Sequence, residues 1–237
     1  MIVFNGIEAV TSDFRGAFVT VGNFDGVHLS HQHICRKLSA EAKQAGAKSI
    51  VITFNPHPKM ILHPDIRPFY LITTIEERLK LIEECSIDAV AVIPFTKEYS
   101  RTSAQQFVEK DLVGKLAIKK IIIGHDYKFG HGKSGTSDYL IAAGREHNFS
   151  VEVIDAFKVG DDIVSSTLIR NLLLAGNVKK ASALLGRWYN VAGVVEKGHG
   201  RGVLLGFPTA NLRAQKELIP AAGIYAVSYT HLTLPTK

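Results

Sequence analysis

The sequence is poor in several things, and each absence narrows its class. It has two cysteines, Cys35 and Cys85, with no metal-ligand spacing between them. Two cysteines make no disulfide framework, which suits a reducing cytoplasm and predicts a cytoplasmic protein. Its longest apolar runs, such as "AVAVIPF" at 89–95, fall far short of the roughly 18 residues that span a bilayer. No basic-then-apolar leader opens the chain, and neither low-complexity tracts nor internal repeats interrupt it. Excess charge is modest, at +6. A basic balance suits nucleic acid or a polyphosphate ligand. The densest cluster, Lys115, Lys119 and Lys120, has no interleaved aromatics, which disfavours a stacking platform for single strands. Its plainer reading is a solvated helix end. We therefore expect neither a nucleic-acid nor a membrane partner.

What is present is a globular composition, 46% hydrophobic and 21% charged over 237 residues, enough for one large domain or two modest ones. Up to residue 186 two periodicities alternate. Strands are expected at 17–21, 49–54, 88–95, 120–124 and 150–157. Between them lie helical stretches. The first has Ile34, Leu38, Ala42 and Ala45 on one face, and others lie in "TIEERLKLIEEC", "SAQQFVEKDLVGKL" and "SDYLIAAGREH". Short apolar strands buried on both faces, alternating with helices, predict an α/β doubly wound parallel sheet of Rossmann-like type. Such sheets bind ligands at the carboxyl ends of their strands. "STLIRNLLLAG" and "VKKASALLG" read as two closing helices. After Gly186, "RWYNVAGVVEKGHGRGVLLGFPTANL" loses helical period and reads as the start of an all-β barrel. The expected division is 1–186, 187–227, and a tail at 228–237.

The stretch "VGNFDGVHLSHQH", Val21 to His33, sits where a strand ends and a helix begins. Gly22 and Gly26 permit close backbone approach and unusual φ angles. Ser30 is a plausible N-cap, and a helix N-terminus offers free N–H groups and a favourable dipole to an anion. His28 and His31, three apart, face the same phosphate if the turn is helical. They donate hydrogen bonds and carry positive charge when protonated. A metal site would need more ligands at matching spacing, and His33 is out of register. Phosphate cradle, structural turn and metal site all remain open on spacing alone.

The same stretch resembles the opening motif of bacterial bifunctional riboflavin kinase/FAD synthetases, members of the HxGH nucleotidyltransferase superfamily. "TFNPHP" (53–58), "IIIGHDYKFGHGKSG" (121–135) and "SSTLIRNLLLAG" (165–176) resemble that family's motifs in the same order, and "GRGVLLGFPTANL" (200–212) resembles the signature of its kinase domain. Each motif has its own physical reading. In "FNPHP" two prolines hold an extended turn from which His57 projects, or simply make a rigid loop. In "GHDYKFGHGKSG" the glycines suit a backbone that approaches a ligand. Asp126 accepts from a ribose or flavin group, and Tyr127 or Phe129 lines a flat ring, unless the segment is only a flexible loop. In "SSTLIR" hydroxyls, helix start and arginine suit a triphosphate, or else Ser166 or Thr167 caps the helix and Arg170 is solvated.

The resemblance implies AMP transfer from ATP to FMN, giving FAD and pyrophosphate, with Mg²⁺ bridging nucleotide phosphates. It implies that His28 and His31 are catalytic. Gly22, Asn23, Phe24, Asp25, Ser30, Asn55, His57, Ser166, Thr167 and Arg170 would bind ATP and its phosphates, and Asp126 and Phe129 would lie on the flavin side. In the kinase segment Gly206, Phe207, Pro208, Thr209 and Asn211 would be a vestigial Mg-ATP site, with Thr209 and Asn211 at the metal. Two features depart from the family. Ser30 stands where the motif has glycine, adding a Cβ and a hydroxyl. "SYTHLTLPTK" (228–237) resembles an in-frame sequencing adapter, which predicts a non-native tail and a kinase barrel too short to phosphorylate riboflavin. The alternatives are another HxGH nucleotidyltransferase, acting on phosphopantetheine or a CTP-linked substrate, and a non-catalytic flavin or nucleotide binder.

Overall fold

The computed structural model describes residues 1–65, 69–199, 201–204, 206–207 and 209–229. Pro208 and positions 230–237 of the expected tail lie outside the described residues. The chain runs β1 (Ile2–Asn5), β2 (Phe18–Val21), α1 (Leu29–Gln44), β3 (Ser49–Asn55), α2 (Pro58–Leu62), α3 (Ile75–Glu83) and β4 (Ala89–Pro94). Next come α4 (Ala104–Gln106), continued by a π-helical stretch Phe107–Lys115, then β5 (Lys120–Gly124), α5 (Ser137–His147) and β6 (Ser150–Ile154). A two-residue ladder, β7 (Lys158–Val159) with β8 (Asp162–Ile163), leads into α6 (Ser166–Leu174) and α7 (Val178–Leu185). Beyond them lie β9 (Gly193–Glu196), α8 (Arg201–Leu204) and β10 (Asn211–Ala214).

Six strands form one parallel sheet in the order β1-β4-β3-β2-β5-β6. The expected α/β doubly wound architecture is present. Alternate residues of the central strands feed two cores. Val19, Val21, Ile50, Ile52, Ile121 and Ile123 pack with Phe107, Leu112 and Leu140. Val51, Val90 and Ile122 pack with Ile34, Leu38 and Ile82 of α1 and α3. Ile121, Ile122 and Ile123 are all fully buried, which is why β5 is a continuous apolar run.

The sheet grows from β2 through β3 to β4, then reverses, since β5 pairs on the other side of β2. The crevice at the carboxyl ends of β2 and β5 is the topological switch point, where such sheets take ligands. The turn after β2 is the stretch of three histidines. A third apolar cluster, Ile72, Val164, Ile169, Leu173, Leu184, Leu185 and Leu218, fixes α6 and α7 beside this crevice.

Past Gly186, among the described residues, the regular structure is the antiparallel β9–β10 pair with α8 between its strands. Trp188 and Phe207 are 81% and 78% exposed, whereas Leu218 is fully buried against α6 and α7. Among the described residues this segment packs against α6 and α7 through Leu218 and encloses no core cluster of its own.

Candidate active site

The turn after β2 is tightly built. Gly22 lies close under the Phe24 ring, and a Cβ there would sit 3.2 Å from it. Phe24 and Val27 have φ angles of 49° and 36°, in the left-handed region that bulky and β-branched residues avoid. Neighbours hold this strained backbone in place. Thr73 accepts from the Gly26 N–H at 3.0 Å. Gln32 Nε2 donates to Val27 O at 2.9 Å, and Arg187 donates to Gly26 O and Val27 O at 2.7 and 3.2 Å.

The N-cap of α1 is His28, not Ser30. Its Nδ1 accepts weakly from the His31 N–H at 3.4 Å. Ser30 is half-buried within the first turn. The capping geometry has a chemical consequence. An accepting Nδ1 carries no proton, so neutral His28 carries its proton on Nε2. His31 stacks on His28 with ring centroids 3.6 Å apart and planes at 17°, and its other neighbour is the Phe24 ring at 4.9 Å. Burial pushes the His28 imidazole down to about 3, with Arg187 adding to the effect against the pull of Asp25. Burial, then the neighbouring His28 and Arg78, hold His31 well below its ordinary value. In the free protein both rings are neutral donors at pH 7, not the cations that the spacing allowed.

His57 repeats the arrangement. It does not project from its turn; it is 4% exposed, and its Nδ1 caps α2 by accepting from the Lys59 N–H at 3.1 Å. Its ring lies against Phe69 at 4.7 Å, and burial takes it down to about 4. Asn55 and Asn23 are exposed at the ends of β3 and β2, and Asn23 O accepts from Thr53.

Several of the expected phosphate ligands are hydrogen-bonded to one another and to the neighbouring loops. Asp25 is 1% exposed; its carboxylate accepts from the amides of Ile72 and Thr73 and from the Arg170 guanidinium at 2.8 Å. With those bonds made, the buried carboxylate ties the turn after β2 to the segment before α3 and to α6. Arg170 is not solvated. It donates to Tyr70 O at 2.7 Å and lies 4.5 Å over the Phe69 ring. The cap of α6 is Ser165; Ser166 donates to Asp25 O at 2.8 Å, which leaves Thr167 exposed at the helix start.

On the expected flavin side, Asp126 is exposed at the carboxyl end of β5. Phe129 is 8% exposed and packed among Phe107, Tyr127 and Tyr139. Two glycines of its loop serve internal packing, because a Cβ at Gly130 or Gly135 would meet Ala104 or Phe129 at 2.5 Å. His33 is exposed on another face of α1. With Leu29, Arg36, Lys37 and Phe157 it lines an open groove of about 480 Å³. Of the kinase-motif residues, Gly206, Phe207, Thr209 and Asn211 are exposed.

The residues around the histidine turn do not make a metal cage. Among the described residues no three His, Cys, Asp or Glu side chains converge as metal ligands, and Asp25 is already saturated. Sequence reasoning missed two cations here: Arg187, which grips the turn, and Arg78, 1% exposed beneath it. Arg78 carried a signal, since it falls on the buried stripe of α3 four residues before Ile82.

Comparison with known proteins meets this geometry. The chain matches the family model for FAD synthetase over residues 10–168 and that for riboflavin kinase over 185–234. It is 36% identical to the bifunctional riboflavin kinase/FMN adenylyltransferase of Buchnera aphidicola subsp. Schizaphis graminum, covering 96% of this chain and 73% of that protein. For the Escherichia coli K12 enzyme of the same name the identity is 34%, over 90% of this chain and 68% of that protein. A solved structure titled as a macrolide-efflux protein from Streptococcus pneumoniae superposes with a TM-score of 0.82 at 30% identity, covering 94% of this chain and 72% of that one. Efflux is said of that protein alone; among the described residues here no helix is long and apolar enough to cross a membrane. On the FAD synthetase match and on relatives matched over more than two-thirds of their length, the chain belongs to the bifunctional riboflavin kinase/FMN adenylyltransferase family.

Proposed function

We propose that this chain transfers AMP from ATP to FMN, and that the turn between β2 and α1 is where it does so. The observation that carries the reading is the stacked pair His28 and His31 at the start of α1, on the topological switch point of the sheet. An FMN phosphate oxygen attacks the α-phosphorus of ATP. The new P–O bond forms as the bond to the β-phosphate's bridging oxygen breaks, giving FAD and pyrophosphate. No covalent enzyme intermediate is required, so catalysis is positioning and charge stabilisation. Neutral imidazoles on His28 and His31 donate to the phosphate oxygens as charge develops, together with the free N–H groups of the first turn of α1. The half-buried Ser30 hydroxyl adds a donor within that turn. His57 and exposed Asn55, from the end of β3, and exposed Thr167, at the start of α6, are the further phosphate contacts of this reading.

Mg²⁺ would enter with ATP and would offset charge on the nucleotide phosphates, and no residue of the histidine turn is assigned to hold it. Residues 1–186 are proposed as the adenylyltransferase unit and 187–227 as the kinase-side segment. In that segment the exposed β9–β10 pair and exposed Thr209 and Asn211 support a lack of riboflavin phosphorylation.

The test supplies FMN, ATP and Mg²⁺ and follows FAD and pyrophosphate. His28→Ala and His31→Ala are expected to lower kcat on the order of 10²-fold or more each. FMN binding without pyrophosphate release sinks the reading, and so does full activity in both variants. With riboflavin replacing FMN, no FMN should form.

A further inference from the structure

Arg78 is out of place for an arginine. It projects from α3 toward the carboxyl end of β3 and is 1% exposed. Its Nη1 donates to Phe54 O at 3.1 Å, while its Nε is buried without a hydrogen-bond partner. Among the described residues no carboxylate forms an ion pair with it. Asp25, whose field reaches it, is closed by Arg170 at 2.8 Å. A buried guanidinium with one bond and no counter-ion is costly in the free protein, and an arriving anion offsets that cost. The same wall has a second orphan, the buried Nδ1 of His31.

We infer that Arg78 is the standing positive charge of this anion site, a positioning residue that sets the electrostatics around His31 and His57 and is neutralised when substrate phosphate binds. The inference rests on the adenylyl-transfer reading of the turn. The charged groups around it agree. Asp25, His28 and His31 come from the β2–α1 turn, His57 and Lys59 from the β3–α2 turn, Arg170 from α6 and Arg187 from beyond α7. Glu77 and Lys216 pair with each other at 2.7 Å. Asp25 is the carboxylate whose field reaches Arg78, and it is already paired with Arg170, while Glu77 and Glu84 act on Arg187. Arg78 is among the causes that keep both His31 and His57 unprotonated. A fixed guanidinium supplies the charge, and neutral imidazoles supply oriented N–H donors.

The experiment compares the full chain with Arg78→Met and Arg78→Lys. It reads FAD formation across pH and, separately, the histidine ring C2–H shifts by NMR without substrate. Arg78→Met is expected to lose on the order of 10²-fold in kcat. The acid limb of its kcat/KM should move to higher pH, with His31 and His57 titrating upward in step. Arg78→Lys should keep the wild-type acid limb and lose less than about tenfold. A folded Arg78→Met with the wild-type profile overturns the inference, as does a folded Arg78→Lys as damaged as the methionine variant. If the methionine variant does not fold, Arg78→Lys decides alone, with a shifted acid limb overturning the inference. A wild-type chain that makes no FAD sinks the functional reading instead, while the NMR titration still reports on Arg78.

Discussion

At the scale of single residues, the site is defined by histidines that fold neutral. His28 and His57 are each 4% exposed, and each uses Nδ1 to cap a helix, a bond that a protonated ring cannot make. Their ordinary value is 6.5, and burial lowers it to about 3 for His28 and about 4 for His57. Below pH 6.5 the unfolded chain therefore takes up protons that the folded chain refuses. This contribution to stability is complete above pH 6.5 and drains away as pH falls toward about 4 for His57 and about 3 for His28. The slope is about 1.4 kcal/mol per pH unit for each histidine. Urea midpoints should thus fall steeply from pH 6.5 to pH 4.5, and His57→Asn, which keeps a capping acceptor, should flatten the curve. A wild-type midpoint constant over that range would mean that the rings are hydrated and protonate freely.

At the scale of elements, the start of α1 is set from outside the helix. Gly186 ends α7 with a φ of 70°, and a Cβ there would lie 2.5 Å from Leu29 Cδ2. Leu29 follows His28 directly, so Gly186→Ala pushes on the first turn of α1. The expected cost is about 1–3 kcal/mol from the left-handed φ and the clash, with a fall in kcat larger than the change in KM. An unchanged urea midpoint would show that Leu29 simply rotates away. The elements differ in how well the sequence announced them. β5 and α5 fall at 120–124 and 137–147 as their patterns indicate, because a strand buried on both faces and a helix with one apolar face leave strong signals. β1 was not anticipated, since on this edge strand only Phe4 is buried and there is no alternation to read. The π-helical stretch Phe107–Lys115 was legible as helix, but its wider bonding leaves no mark on side-chain spacing. The cap of α1 was misplaced at Ser30 because a hydroxyl is the usual capping group and here an imidazole does that work. The motif residues of the site were found through resemblance. Arg78 was hidden because an arginine in "TIEERLKLIEEC" looks like part of a solvated face, and only its register with Ile82 placed it inside.

At the scale of the whole molecule, the segment after Gly186 is joined to the turn between β2 and α1. Arg187 is its first residue, and it holds Gly26 O and Val27 O at 2.7 and 3.2 Å. Lys216, 8% exposed, reaches Glu77 at 2.7 Å, and Glu77 closes the capping box of α3 with Thr74. Tyr189 donates to Leu218 O at 2.8 Å, and Leu218 sits in the cluster of α6 and α7. The turn needs this support, because Val27 at a φ of 36° is strained and would relax unless its carbonyl were held. The two regions are thus mechanically coupled at the backbone next to His28, and the coupling predicts its own loss. Arg187→Ala removes charge-assisted bonds worth about 1.5–3 kcal/mol each when buried. It should speed amide exchange at residues 26–31, while exchange in β3 and β5 stays as slow as before. FAD formation should fall with it, chiefly in kcat, since the histidine donors lose their fixed aim while the rest of the crevice keeps its shape. If exchange at the turn and the rate both stay at wild-type values, the contact is ornamental, and Gln32 and Thr73 alone suffice to hold the strained backbone.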